Sequence, residues 1–135
     1  MNLEKLSTDK TIAYVPQFAG ERAKAAADPD YKPVVFHLVP MTVAQFEEAG
    51  DLLREEGGAS GTVTFRLRPE LEEKILATHV RRIENLSLSD ASSIGDGAAF
   101  ALARKTVSGA VAPLYLEVLA AVRDISVLRE GERKN

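Results

Sequence analysis

Apolar and polar positions follow a strand-like rhythm in the first part of the chain and a helix-like rhythm in the second. After a polar leader, residues 11–18 read TIAYVPQF, β-branched and aromatic side chains interrupted by Pro16. That pattern predicts an edge strand, because proline has no N–H to give to an inner ladder. Residues 33–39, PVVFHLV, predict a second strand closed by Pro40. A third is predicted at 62–68, TVTFRLR, where Val63, Phe65 and Leu67 alternate with Thr64, Arg66 and Arg68. Between these runs, residues 19–32 mix Gly20, Pro29 and two aspartates and read as a flexible loop in which RAKAAA could form one helical turn. Residues 57–62, opening on GGASG, read as a second flexible break and a hinge.

The helical spacings begin at Thr42, an N-cap whose partner Gln45 lies three residues on, the arrangement of a capping box. Val43, Phe46 and Leu53, with Ala49 and Leu52 beside them, form the predicted buried face, and Glu47, Glu48, Asp51, Glu55 and Glu56 the wet one. Gly57 and Gly58 end it. Pro69 suits a helix's first turn, and Leu71, Ile75, Leu76, His79, Val80 and Ile83 recur at helical spacing, so this helix is predicted to run to about Asn85. A serine-rich loop with several potential caps follows, then a short alanine-rich helix over 98–105 and a final helix opened by Pro113.

In that final helix Leu114, Val118, Ala121, Ile125 and Leu128 form one heptad-like seam, and Tyr115, Leu119 and Val122 a second beside it. Glu117, Arg123 and Asp124 mark the wet side. The two seams are wider than the roughly 100° that seats a surface helix on one core. A well-buried Leu, Ile or Val contributes about 1.5–3 kcal/mol, so both seams need a cover. Either this is the central helix, enclosed by its own chain, or one seam meets another subunit or a client protein. Leu114, Tyr115, Val118, Leu119, Val122, Ile125 and Leu128 are accordingly the candidate partner-binding residues. Residues 129–135, REGERKN, read as a solvated polar tail. The pattern predicts an α+β fold: a small N-terminal antiparallel β layer packed on three to four α-helices, with a long C-terminal helix, all in one domain over 1–135.

Composition narrows the function classes. With 135 residues, 45% hydrophobic, no cysteine and two histidines, the chain is expected to depend on one apolar core and on self-association rather than disulfides. A net charge of −3 gives no reason to expect nucleic acid or anionic lipid as a partner, and the absence of tryptophan removes a common base-stacking platform. The leader MNLEKLSTDK lacks a signal peptide's apolar core, and the uncharged stretch 106–116 is short of the roughly 20 residues of a membrane span. A soluble, cytoplasmic protein is expected. His37 sits in an apolar run and His79 at an apolar helix phase, so both read as packing residues rather than general bases. Neither has an HExxH partner, Glu47-Glu48 and Glu72-Glu73 point apart as solvated pairs, and the glycines of SIGDG and GGASG lack a phosphate-binding pattern. No catalytic, cofactor or metal site is therefore assigned, and an enzyme is not expected. The remaining rival of that kind is an enzyme subunit with a ligand pocket lined by His37 or His79.

Four stretches taken in order carry a family likeness: YVP at Tyr14, Val15 and Pro16, PMT at Pro40, Met41 and Thr42, VRRIENL over 80–86, and EVLAAVRDISVLREGERKN from Glu117. Together they resemble small proteins encoded among the tail genes of tailed bacteriophages, the tail assembly chaperones and their relatives. The resemblance implies a non-enzymatic virion-assembly protein of the host bacterial cytoplasm. Such a protein binds the long, helix-rich tape measure protein, keeps it soluble and recruits tail tube subunits, with the apolar seams serving client or homo-oligomer contacts. The alternative within phage biology is a virion structural component, a head-tail connector or minor tail protein.

Overall fold

Alternation places Phe36 and Leu38 on one side of a strand and Val35 and His37 on the other, and the sheet forms around that alternation. The computed structural model describes residues 11–54, 69–88 and 92–133, apart from the side chains of 49–54 and 127–133. Strand β2 (Val35–Leu38) is central, flanked antiparallel by β1 (Ile12–Tyr14) and β3 (Val80–Glu84). Among the described residues five α-helices accompany the sheet: α1 (Glu21–Ala27), α2 (Val43–Arg54), α3 (Pro69–His79), α4 (Gly97–Ala103) and α5 (Ala112–Arg133). The class is α+β with a long C-terminal helix, as the pattern predicts.

Three expectations need correction. The helix predicted to reach Asn85 ends at His79, and the chain passes directly into β3. Val80 and Ile83 are both buried at a three-residue spacing that mimics a helix; a β-bulge makes it compatible with a strand. His37 pairs with Arg82 and Leu38 with Val80, so Arg81 is the extra residue and two adjacent arginines face outward. Second, residues 19–32 are not simply a loop: α1 occupies Glu21–Ala27, entered through left-handed Ala19 (φ 57°) and Gly20 (φ 73°). Third, the polar tail is helical as far as Arg133. The strand expected over 62–68 and the break over 57–62 lie outside the described residues.

Local chemistry fixes the helix starts. The capping box at the head of α2 is formed: the Thr42 N–H donates to Gln45 Oε1 (2.9 Å) and the Gln45 N–H to Thr42 Oγ1 (3.2 Å). Of the predicted inner face of α2, Val43 is exposed and Phe46 half-buried, while the Ala49, Leu52 and Leu53 side chains lie outside the described residues. Asp96 caps α4 by accepting from the Ala99 N–H (2.8 Å). One residue later Gly97 crosses the α3–β3 junction so closely that a Cβ there would lie 2.0 Å from the Leu76 carbonyl oxygen, so only glycine fits. The core closes around an aromatic stack, with Phe36 edge-on to Phe100 (5.2 Å) and Phe100 stacked on Tyr115 (4.1 Å).

Candidate functional site: an apolar cleft beside the C-terminal helix

The double seam of α5 is the keel of this core. Leu114, Tyr115, Val118, Val122 and Ile125 are buried within the protomer, and Leu119 is half-buried against the same cluster. Five of the seven candidate partner-binding residues are therefore covered by the chain's own sheet and helices and offer no surface to another chain. The Leu128 side chain lies outside the described residues.

One residue of the expected wet side also faces protein. Glu117 accepts from the Tyr14 hydroxyl (2.5 Å), the Gln17 N–H (2.7 Å) and the Phe18 N–H (3.0 Å), fastening the segment after β1 to α5. Partial burial pushes the Glu117 carboxyl upward, but these three donors outweigh it and hold the group below the usual carboxylate range. Burial and then the Glu117 hydrogen bond raise Tyr14 to about 12. Farther along α5 the Ser126 hydroxyl accepts from the Met41 N–H (2.9 Å) and donates to the Val122 carbonyl (2.8 Å). The YVP, PMT and VRRIENL stretches are thus joints, the first two with α5 and the third with β2 through the Phe36–Ile83 and His37–Arg82 pairs.

Fastening that segment leaves a cleft of about 210 Å³ between it and the core. Phe100, Leu114, Tyr115, Val34 and Ile94 form its buried lining; Leu86, Leu88, Val107 and Val111, all half-buried, line it nearer the surface. Pro16, Phe18, Ala19 and Glu21 complete the wall on the side of α1. Polar groups here are few. The Tyr115 hydroxyl donates to the Phe100 carbonyl (2.6 Å), and burial raises that phenol to about 12 even though Arg104 nearby opposes the rise. Glu21 accepts from the Tyr31 hydroxyl (2.8 and 2.9 Å) and the Val34 N–H (3.2 Å), and carries no cationic partner among the described residues. Ser87, bridged to Ser93, is the other polar side chain of the lining.

The two histidines sit away from this cleft and apart from each other. His79 is buried with its Nδ1–H donating to the Val39 carbonyl (3.0 Å); burial pushes its pKa down, partly offset by that hydrogen bond. His37 lies on the outer sheet face within 2.6 Å of Glu84 and 3.1 Å of Arg82 through the same Nε2. The shorter contact takes the proton, so Nε2–H donates to Glu84, and that bond above all lowers the Glu84 carboxyl. Glu72, expected on a solvated face, is instead buried and paired with Arg104 at 2.6 Å, joining α3 to α4. Arg104 Nη1 has no hydrogen-bond partner among the described residues. Among the described residues no group of His, Asp or Glu side chains converges as metal ligands would, and no helix is long and apolar enough to cross a membrane.

The sequence pattern does not reveal the cleft, because its lining comes from six separated segments, three of which contribute a single side chain. The signal within reach was Pro16 and Phe18 standing next to a small-residue stretch that could not by itself cover them. Set against known protein families, curated proteins and solved structures, the chain matches none.

Proposed function

We propose that this protein is a tail assembly chaperone of a tailed bacteriophage, acting without catalysis, and that it holds its client, the tape measure protein or tail tube subunits, through the apolar cleft beside α5. The family likeness supplies the client class. The observation that carries the mode of action is the cleft itself: it is apolar and open, while the seams of α5 are already used as core. At about 210 Å³ it is smaller than the roughly 300 Å³ at which pockets for whole small molecules begin. It is larger than the roughly 150 Å³ that accommodates a benzene ring. That range matches one or two apolar side chains of a protein, the anchors by which helices dock into grooves.

The test is co-expression of the full chain with the tape measure protein of the same phage, followed by affinity capture. Val111→Glu places a charge in the half-buried part of the lining and is expected to reduce capture at least tenfold while circular dichroism stays native. Leu116→Glu, on the exposed side of α5, is expected to leave capture intact. The opposite pattern overturns the cleft as the client site. Stoichiometric recovery of the protein in purified particles would identify a virion component instead of a chaperone.

A further inference from the structure

The cleft is mostly apolar, and Glu21 on its α1 side is the one charged group of its lining. Glu21 stands where the wall begins, its oxygens partly used by Tyr31 and Val34 but with acceptor capacity remaining and no cation on it among the described residues. The two nearest cations of α1 are engaged elsewhere. Arg22 donates to the Val15 carbonyl (2.7 Å) and lies over the Tyr14 ring, and Lys24 lies over the Tyr31 ring. A lone negative group beside an apolar socket selects for an occupant that is apolar at its tip and positive alongside.

We propose, resting on the reading of the cleft as a client site, that its occupant is one large apolar side chain, aromatic, Leu or Met, on a client helix that carries a Lys or Arg within one turn of it. The apolar chain fills the space against Phe100, Leu114 and Tyr115, and the cation rests on Glu21. A free metabolite is a poorer fit, because the lining offers almost no unspent polar groups to orient one: the Tyr115 hydroxyl is committed to the Phe100 carbonyl.

Three acetylated, amidated alanine-based helical peptides test this by fluorescence anisotropy against the full chain. One carries a Phe with a Lys four residues later, the second a Glu in place of that Lys, and the third an Ala in place of the Phe. The Phe–Lys peptide is expected to bind about three- to fivefold tighter than the Phe–Glu peptide at low salt, the scale of a solvent-accessible ion pair. That ratio should approach one in roughly 1 M salt, where screening acts over about 3 Å, and also in Glu21→Gln. The salt titration on the unaltered protein decides the matter even where Glu21→Gln loses stability through Tyr31 and Val34. Equal affinity for the Lys and Glu peptides, with Phe still required, overturns the charge assignment and leaves the cleft reading standing. Equal affinity for the Phe and Ala peptides overturns both.

Discussion

At the scale of single residues, several joints around the apolar core are made by ionisable groups whose protonation states the fold sets. His79 is buried neutral, with its folded pKa below the ordinary 6.5, so its contribution is whole above pH 6.5 and is lost as pH falls through the folded value. Glu117 acts in the same direction lower down: its folded pKa lies below 4.5, so its contribution is whole above 4.5 and lost as pH falls through the folded value. Tyr14 runs the other way. Raised to about 12, its contribution is whole below the ordinary 10.0 and disappears as pH climbs from there through 12. Unfolding free energy should therefore hold a plateau between about pH 7 and pH 10, with an acid limb that starts below 6.5. His79→Gln retains a donor for the Val39 carbonyl but has nothing to titrate. Urea denaturation of this variant is expected to show a flat profile from pH 7 to about 5, where the parent declines; an unchanged acid limb would remove His79 from the account. None of these partnerships is visible in the sequence. Tyr14 and Glu117 are 103 positions apart, and Glu117 occupies a helix phase that by spacing alone belongs to solvent.

Elements were legible in proportion to how local their determinants are. The Thr42–Gln45 capping box spans three residues and forms as its chemistry dictates, and the PVVFHLV run became the central strand because it is β-branched and bounded by prolines. The α3–β3 boundary was illegible for a definite reason. A strand that buries residues two apart is recognisable, but the bulge at Arg81 buries Val80 and Ile83, three apart, and so continues the helical periodicity of Leu76 and His79 without a break. The small residues over 21–27 likewise gave no periodic stripe, and α1 buries none of its side chains. The bulge supports a sharp prediction. Deleting Arg81 removes the extra residue and leaves Val80 and Ile83 two apart, so a regular strand keeps both opposite Leu38 and Phe36, and the deletion is expected to cost less than the about 1.5–3 kcal/mol of taking one such side chain out of burial. Arg81→Thr keeps the residue count and a strand-compatible side chain at an exposed position and should stay within about 0.5 kcal/mol of the parent. Thermal denaturation of both variants checks this; a loss of about 1.5 kcal/mol or more on deletion would mean that the extra residue is itself needed to keep both side chains inward.

Across the whole molecule, the breadth of the α5 stripe is explained by its position: the sheet residues Phe36 and Leu38, the α3 residues Ile75 and Leu76, and the α4 residues Phe100 and Ala103 share one core cluster with it. A helix enclosed on several sides needs more than the usual arc of apolar residues, so width alone cannot distinguish a central helix from an interface. What distinguishes them is the effect of a charge. Val118 is fully buried, and an aspartate there would be an unpaired buried carboxylate costing roughly 3–5 kcal/mol. Against a total stability of about 5–15 kcal/mol, that is enough to unfold a large share of the molecules. Leu116, 60% exposed two residues back and on the opposite side of the same helix, has no such enclosure. Val118→Asp is therefore expected to lose helical circular dichroism, whereas Leu116→Asp keeps it. Light scattering on the folded variant then reads association with the core held constant. A Val118→Asp protein that stays fully helical while its scattering mass falls would return the stripe to the role of a subunit interface and displace the cleft from it.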